Sequence, residues 1–428
     1  MSQSKIIAGL DVGTKKICAL IAEVNQNDKI EIIGLGIAPS DGLRKGIVVD
    51  IDKASKSIYD AVDKAERMAG IEIGSVYVGI AGSHINSVNS HGVVAVTGSN
   101  KEVKESDIER VMEAARVIPL SQEEKIIHVI PREFIIDGTK GIKRPQGMSG
   151  VRLEVETHIV KGSTTSINNL VKSVEKAGLE VNELVLDQLA SSYSVLSKDE
   201  KELGVALVDI GGGTTDFIVF HEGNIKYTSV LPVGGNHVSN DIAVGLRTPI
   251  AEAEKIKILH GIASCDDVND NEKIEVLKAS GNEKQQIPKN YLCQVIEPRM
   301  EEMFSMVDRE INKTGTKDMT PAGLVITGGA SLLKGSCNLA SQITGLPVRL
   351  GEPDYISGFS DVVDNPVYVN KDGKIPTPVF STGVGLILYA LENGKTSNAN
   401  NKKNNRRNSK EIVNSFFSKL KTFFDDFF

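Results

Sequence analysis

Two segments of the chain share one pattern of apolar and polar positions. Residues 5–24 hold two apolar runs, KIIAGLDVG and KKICALIAEV, which meet at a Gly-Thr turn. Residues 204–220 repeat this order as GVALVDIGGGTTDFIVF, so that Asp11 aligns with Asp209 and each aspartate precedes a glycine turn. One such unit fits any buried hairpin, but two in matching context indicate a duplicated fold with two like halves.

Other stretches have helical spacing or return to strand-like runs. Residues 83–162 differ from both halves, because strand-like runs surround one predicted helix at 104–117. They therefore predict a small inserted α+β subdomain. Further helices are predicted at 52–70, 164–178, 248–260, 291–313 and 380–391, with a strand–glycine turn–helix unit at 324–335 and a polar segment at 264–289.

Composition narrows the class of protein. A chain of 428 residues predicts two or more domains, and 40% hydrophobic with 25% charged residues is typical of a folded soluble protein. The net charge of −7 argues against a general nucleic-acid binder. Four cysteines without a CxxC pair suit a reducing cytoplasm and imply neither a disulfide framework nor a zinc site. Without a secretory signal or a long apolar run, we expect a cytoplasmic protein unless something peripheral holds it to a membrane.

Three glycine-rich turns follow apolar strands: DVGTKK (11–16), DIGGGTTD (209–216) and ITGGASLLKG (326–335). Each alone fits a tight hairpin, but three in this order indicate a phosphate site, because glycine lets a phosphate approach backbone N–H groups. Carboxylates beside such turns could hold a hydrated Mg²⁺, which takes few direct protein ligands. The chain has no P-loop and no GxGxxG motif. The other candidate groups are the hydroxyls of Thr14, Thr214 and Thr215, the ammonium of Lys15 or Lys16, and the carboxylates of Asp11 and Asp209.

These turns resemble the phosphate and adenosine motifs of the actin/heat-shock/sugar-kinase ATPase superfamily. LVLDQLASS (184–192) and STGVGLILYAL (381–391) resemble its two connecting motifs, so the resemblance covers roughly residues 5–391. Within the superfamily the chain resembles the FtsA family of bacterial cell-division proteins. That resemblance is carried by VGGNHVSNDIAVGLRTPIAEAEKIKILHG (233–261), VIEPRMEEMF (295–304), the insertion at 83–162 and the amphipathic segment at 411–428.

The resemblance implies an α/β, actin-like ATPase fold. Two related halves would surround a nucleotide cleft, with an inserted α+β subdomain and a C-terminal amphipathic helix. The expected boundaries are 1–82 and 163–202 with a closing helix 379–393 for the first half, 83–162 for the insertion, 203–240 and 320–378 for the second half, 241–319 for a small subdomain, 394–410 for a flexible basic linker and 411–428 for the amphipathic helix.

The resemblance also implies ATP and Mg²⁺ as cofactors. It assigns Asp11, Asp187 and Asp209 to the Mg²⁺ and the attacking water, with Asp11 and Asp209 acting on the metal through water. Relatives often carry Glu or Gln at the position of Asp187. The shorter carboxylate of Asp187 could position the attacking water poorly, so weak or no ATP hydrolysis is expected. Glu254 and Lys257, three residues apart on one helix face, fit either the ribose-facing stretch or a surface ion pair. The expected nucleotide contacts are Gly13, Thr14, Lys15, Lys16, Gly211, Gly212, Gly213, Thr214, Thr215, Asp216, Gly234, Gly235, Asn236, Glu254, Lys257, Gly328, Gly329 and Ser331.

Residues 411–428 have apolar side chains at steps of one and three, which places them on one helical stripe. A helix of this sidedness suits lying on a bilayer, and the basic segment before it favours an anionic surface. The alternative is docking on the protein's own core or in a partner's groove. The expected membrane-facing residues are Ile412, Val413, Phe416, Phe417, Leu420, Phe423, Phe424, Phe427 and Phe428.

For function, the resemblance implies a scaffold that anchors the ring of the tubulin-like protein FtsZ to the cytoplasmic face of the cell membrane at the division site. Arg299 would contact the acidic C-terminal peptide of FtsZ on the 241–319 subdomain, or else pair with Glu301 or Glu302. An actin-like polymer of the chain with itself is also implied, and no nucleic acid. The alternatives are a small-molecule kinase of the same superfamily and an actin-like pilus-assembly protein.

Overall fold

A computed structural model describes residues 5–25, 29–98, 100–267, 272–279, 283–353 and 377–393. The predicted linker at 394–410 and the predicted amphipathic helix at 411–428 lie outside these residues. Among the helices described, none combines the length and the apolar composition that a membrane span requires.

Strands and helices of the described residues are numbered here in chain order. The strands are β1 (Lys5–Val12), β2 (Lys16–Val24), β3 (Ile30–Pro39), β4 (Leu43–Arg44), β5 (Ile47–Val48), β6 (Ser75–Ile80), β7 (Asn86–Ala95), β8 (Glu124–Ile136), β9 (Thr139–Ile142), β10 (Arg152–Ser163), β11 (Glu180–Leu186), β12 (Val205–Ile210), β13 (Thr215–His221), β14 (Asn224–Leu231), β15 (Lys273–Leu277), β16 (Lys284–Pro288), β17 (Leu324–Thr327) and β18 (Val348–Leu350). The helices are α1 (Ile51–Ala69), α2 (Glu105–Arg116), α3 (Thr164–Lys176), α4 (Asp187–Val195), α5 (Lys198–Leu203), α6 (Gly235–Leu246), α7 (Ile250–His260), α8 (Lys289–Lys313), α9 (Ser336–Thr344) and α10 (Ser381–Asn393).

The two predicted halves have the same sheet topology. The first sheet has the strand order β11-β6-β1-β2-β3 and the second β18-β17-β12-β13-β14. In each sheet a three-stranded antiparallel meander is followed by two parallel strands on the side of its first strand. Asp11 and Asp209 lie near the carboxyl ends of the equivalent strands β1 and β12. The repeated sequence pattern therefore corresponds to two halves with the same sheet topology.

The first half is completed by a helix from far along the chain. Helix α10 packs on β1 and on α4, while α1 covers the other side against β2 and β3. The strands are almost continuously apolar because both faces are covered, and six of the eight residues of β1 are buried. Helix α4 also contacts β12 and β13, so it joins the first half to the sheet of the second.

The inserted subdomain has its own sheet and core. Its antiparallel strands have the order β7-β10-β8-β9, and α2 packs on β7 and β10 over a core that includes Met112, Phe134 and Val155. The buried carboxylate of Asp107 accepts from the Lys104 and Thr97 N–H groups and so caps the start of α2.

The small subdomain of the second half combines α6, α7 and α8 with the hairpin β15–β16. We expected the segment 264–289 to be polar without naming elements in it, and we did not predict α6. The hairpin strands alternate buried and exposed residues, as in KIEVL, because only one face of the ribbon packs on the subdomain.

Candidate nucleotide site

The first two glycine-rich turns face each other from the two halves. A Cβ atom on Gly212 would lie 2.9 Å from Cβ of Lys15, and one on Gly213 would lie 2.7 Å from Oγ1 of Thr14. Any side chain at these positions would therefore push the turns apart. The structure brings the candidates of the first and second motifs together at this contact.

The backbone of the second turn is oriented by the start of α6. The N–H groups of Gly235 and Asn236 donate to the carbonyl oxygens of Gly211 and Gly212, at 2.9 and 2.8 Å. Gly234 packs on the same carbonyls. With the carbonyls held in this way, the N–H groups of Gly212 and Gly213 have no protein partner within the described residues. Unpaired N–H groups in a glycine turn can accept an anionic ligand such as a phosphate.

Two buried aspartates lie beneath the second turn. Oδ2 of Asp209 accepts from the hydroxyls of Ser191, at 2.6 Å, and Thr382, at 3.2 Å. Burial raises the pKa of Asp209 to about 6. Burial and the nearby Asp209 raise the pKa of Asp216 to about 8, and Oδ1 of Asp216 has no hydrogen-bond partner among the described residues. Two neighbouring buried carboxyl groups with raised pKa values indicate that too few positive charges lie close to them.

Asp187 and Gln188 begin α4 on the opposite side of this site. Oδ1 of Asp187 and Oε1 of Gln188 are buried and have no hydrogen-bond partner in the part of the chain that the structure describes. Burial, together with the carboxylates of Asp11 and Asp216, raises the pKa of Asp187 well above its usual range. On the first strand, Asp11 pairs with Nζ of Lys16 at 3.3 Å.

These residues fit a hydrated Mg²⁺ better than a directly chelated metal. Asp187, Gln188 and Asp216 carry buried acceptors that no described residue satisfies, and a cation with bound waters could satisfy them. Across the described residues, no three His, Cys, Asp or Glu side chains are close enough together to chelate a metal ion directly.

Glu254 and Lys257 form a buried network next to α6. Nζ of Lys257 contacts Oε2 of Glu254 at 2.9 Å, Oγ of Ser239 at 3.0 Å and the carbonyl oxygen of Gly235 at 3.1 Å. Lys257 is only 8% exposed, and burial lowers its pKa. The ion pair considered as an alternative is present, but it is internal and not on the surface, and Lys257 uses it to hold the first turn of α6. Glu254 also reaches across to Lys15, with Oε2 3.7 Å from Nζ.

The third glycine-rich turn adjoins Asp209 from the other side. Gly328 has φ +84°, and a Cβ atom there would clash with Oδ1 of Asp209. A Cβ atom on Gly329 would meet none of the described residues within 4 Å. Ser331 donates its hydroxyl to the carbonyl oxygen of Gly328 at 2.7 Å, which uses that hydroxyl within the turn.

Arg299 lies apart from the cleft, on α8. Its Nε and Nη2 contact the two carboxylate oxygens of Asp241 at 2.6 and 3.2 Å, and Nη1 contacts Glu302. The pairing with Glu302 that we considered is present, and the stronger, two-pronged pair with Asp241 was not foreseen.

Sequence reasoning did not single out Ser191, Thr382 or Gln188 as site residues. All three lie within the stretches that resemble the two connecting motifs, at 184–192 and 381–391. The signal that could have found them is a small hydroxyl or amide residue on an otherwise apolar helix that packs against an aspartate-bearing strand. The proposed membrane-facing residues lie outside the described part of the chain.

Comparisons with known proteins agree with this architecture. A family model described as cell division protein FtsA matches residues 206–385, and one described as the SHS2 domain inserted in FtsA matches residues 82–161. The cell division protein FtsA of Pseudomonas aeruginosa is 45% identical over 392 residues, covering 92% of this chain and 91% of the relative. That of Bacillus subtilis is 41% identical over 395 residues, covering 92% and 86%.

Solved structures confirm the predicted actin-like fold class. The PilM-PilN type IV pilus biogenesis complex matches with a TM-score of 0.63 at 17% identity, over 90% of this chain and 98% of that one. MreB5 of Spiroplasma citri bound to AMPPNP matches with a TM-score of 0.51 at 14% identity, over 91% and 97%. At these identities the likeness shows the fold alone. The family is shown by the relatives that align along nine-tenths of the sequence: the chain belongs to the FtsA family of cell division proteins.

Proposed function

We propose that this protein is an ATP-binding scaffold that ties the FtsZ ring to the cytoplasmic face of the cell membrane at the division site. The observation that carries the nucleotide part is the contact of the glycine turns at Lys15 and Gly212, which come from two halves of like topology. Family membership supports the division role over the small-molecule kinase and pilus-assembly alternatives. The related fold of MreB5, solved with ADP and with AMPPNP, supports a nucleotide in the cleft.

The geometry suggests how the chain's own residues act on ATP. The N–H groups of Gly212 and Gly213, which have no partner among the described residues, and the ammonium of Lys15 would bind phosphate oxygens. Asp11 and Asp209 would hold Mg²⁺ through water, and that ion neutralises phosphate charge when it is bound. Asp187, whose Oδ1 no described residue pairs, would orient a water molecule. Because the turns belong to different halves, a ligand that touches both favours the closed cleft.

The membrane part of the proposal rests on the sequence of residues 411–428. Their apolar stripe carries six phenylalanines, and the preceding basic segment has no acidic residue. Each phenylalanine could contribute up to about 1.5–3 kcal/mol if fully buried, and a Lys or Arg near anionic lipid about 1 kcal/mol. Two weak signals of this kind suffice for reversible anchoring.

The partners proposed are the C-terminal peptide of FtsZ, on the subdomain that carries Arg299, and further copies of this chain. Arg299 is about three-quarters buried by its pairs with Asp241 and Glu302. To bind the guanidinium of Arg299, an acidic side chain of the peptide would have to displace the carboxylate of Asp241 or Glu302.

Flotation on anionic liposomes tests the anchor. We expect residues 1–428 to float and residues 1–410 to stay in solution. Phe423→Asp should abolish flotation, because it places a charge on the apolar stripe, whereas Asp426→Asn on the polar face should not. Flotation of the 1–410 chain would contradict the membrane assignment for residues 411–428. It would not affect the nucleotide assignment.

A further inference from the structure

The turn that carries Asp187 is held from two directions by other parts of the molecule. The N–H group of Leu186 donates to Nε2 of His128, at 3.1 Å, and His128 belongs to β8 of the inserted subdomain. Nε2 of Gln188 contacts the carbonyl oxygen of Ser229, on β14 of the second half, at 3.5 Å. Residues 186–188, where β11 ends and α4 begins, are thus contacted by both, and we name them the site turn.

The inserted subdomain and the second half are themselves joined by a buried polar link. Nε2 of His158, on β10, lies 2.9 Å from Oγ1 of Thr228, and Nδ1 lies 2.8 Å from Oδ1 of Asn89 on β7. Ser87, also on β7, donates its hydroxyl to the carbonyl oxygen of Thr228 at 3.1 Å. Thr228 is the neighbour of Ser229, so both contacts of β14 come from adjacent residues.

The hydrogen-bond roles in this link are fixed by its chemistry. Because an amide oxygen can only accept, Nδ1 of His158 carries the proton, and Nε2 accepts from the Thr228 hydroxyl. His158 is buried, and burial lowers its pKa to about 3, so the ring is neutral at the pH of a cell. In the same way, His128 must accept through Nε2, since the N–H group of Leu186 can only donate.

The contacts close a triangle. The site turn touches the inserted subdomain through His128, the inserted subdomain touches β14 through His158, and β14 touches the site turn through Ser229. A shift at one corner must change the other two or break a buried hydrogen bond, which is costly because the freed groups cannot reach water.

We propose that the inserted subdomain positions the Asp187 turn of the nucleotide site, with His128 as the positioning residue and the His158–Thr228 contact as its fixed point on the second half. This deepens the proposed function, on which it rests for the role of Asp187. The inserted subdomain is then part of the structure that supports the cleft, in addition to any role in contacts with other molecules.

Hydrogen exchange on the full-length, nucleotide-free protein tests this directly. His128→Leu should speed exchange of the amides at 186–190 by about two- to tenfold, the effect expected from losing one ordinary buried hydrogen bond. His128→Gln, which retains an acceptor, should restore exchange to near the wild-type rate. Thr228→Val should also speed exchange at 186–190, although it makes no contact with Leu186 or Asp187.

His91→Gln is the matched control, because His91 lies on the same inserted sheet but pairs with Glu154 away from the site turn. It should leave exchange at 186–190 unchanged, and helix α1 should exchange alike in every variant. If Thr228→Val alters only β7 and β14, or if the Leu and Gln variants at position 128 behave alike, the proposal is wrong.

A second readout separates this proposal from the proposed function. Binding of a fluorescent ATP analogue with Mg²⁺ should weaken by about two- to tenfold in His128→Leu and Thr228→Val, and not in His91→Gln. If the wild-type protein binds no ATP analogue, the proposed function fails, while the exchange rates still decide whether the inserted subdomain positions the site turn.

Discussion

Lys15 and Glu254 form an ion pair between the two halves of the molecule, with Nζ of Lys15 3.7 Å from Oε2 of Glu254. Glu254 does not depend on this pair, because Lys257 and Ser239 also contact its carboxylate. Lys15 is 52% exposed and has the freedom to turn. A phosphate entering the cleft would therefore compete with Glu254 for the ammonium of Lys15.

Replacing Lys15 tests this competition. We expect Lys15→Gln to weaken ATP binding by about tenfold, the effect of losing one charge-assisted hydrogen bond. The thermal midpoint should barely change, because a half-exposed ion pair contributes little to stability. Lys255→Gln, which removes another exposed lysine of an ion pair on α7, should affect neither quantity. Equal ATP affinity in the two variants would contradict a phosphate role for Lys15.

Gly212→Ala tests whether the two turns must touch. The new methyl group would lie 2.9 Å from Cβ of Lys15, so the halves would have to separate slightly. We expect ATP binding to weaken by about tenfold or more, since a ligand held by both turns needs them close together. Gly74→Ala, at a surface position where a Cβ atom meets nothing within 4 Å, should leave binding unchanged. Isothermal titration calorimetry measures both variants.

The raised pKa values of Asp209 and Asp216 predict how stability depends on pH. A carboxyl whose pKa is higher in the folded protein stabilises it fully below the unfolded value, and this contribution is lost as pH rises through the folded value. Asp216, with a folded pKa of about 8, should cost the nucleotide-free protein stability between about pH 4 and pH 8, at a slope of up to about 1.4 kcal/mol per pH unit.

Denaturant unfolding of Asp216→Asn at several pH values tests that slope. The variant cannot ionise at this position, so its stability should fall less steeply from pH 5 to pH 8 than that of the wild type. Asp318→Asn, on the short helix Lys317–Met319 outside the site, serves as the control and should keep the wild-type slope. Parallel curves for wild type and Asp216→Asn would show that Asp216 is already ionised at pH 5.

The two-pronged pair of Arg299 and Asp241 predicts opposite effects of its two partners. Arg299→Ala should weaken binding of the FtsZ C-terminal peptide, because the peptide's acids lose their cation. Asp241→Asn should strengthen that binding by several-fold, since it removes an internal competitor for the guanidinium. Asp308→Asn, at the far end of α8, should change nothing. Fluorescence anisotropy with a labelled peptide distinguishes these outcomes, and a loss of affinity in Asp241→Asn would count against direct competition.

Sequence reasoning predicted local features well. The glycine turns could be located because a strand, a turn and the next strand are contiguous in the chain, and the repeat of Asp11 at Asp209 indicated the shared topology. Burial and distant partners could not be predicted in this way. The spacing of Glu254 and Lys257 predicts a pair on one helix face, but only tertiary packing places that pair inside the protein. Asp241, the main partner of Arg299, is 58 residues away in the sequence.

Two elements were missed for an equally physical reason. Helix α6 begins at the second glycine of the pair Gly234–Gly235 and has no acidic residue in its first turn, so it lacks the usual start signals. The strands of the hairpin β15–β16 have only five residues each and are rich in charged and polar side chains. Short, half-exposed strands have too few apolar positions to establish a period of two.

The packing of α10 on β1 has a consequence for the order in which the protein folds during synthesis. Strand β1 lies at residues 5–12 and its neighbour α10 at residues 381–393, so all the intervening residues are synthesised before α10 can pack on β1. The second half, in contrast, is contiguous from β12 to β18. Its sheet can form as the chain emerges, whereas the first sheet must wait with one face uncovered. The half that is synthesised first is then the half that finishes folding last.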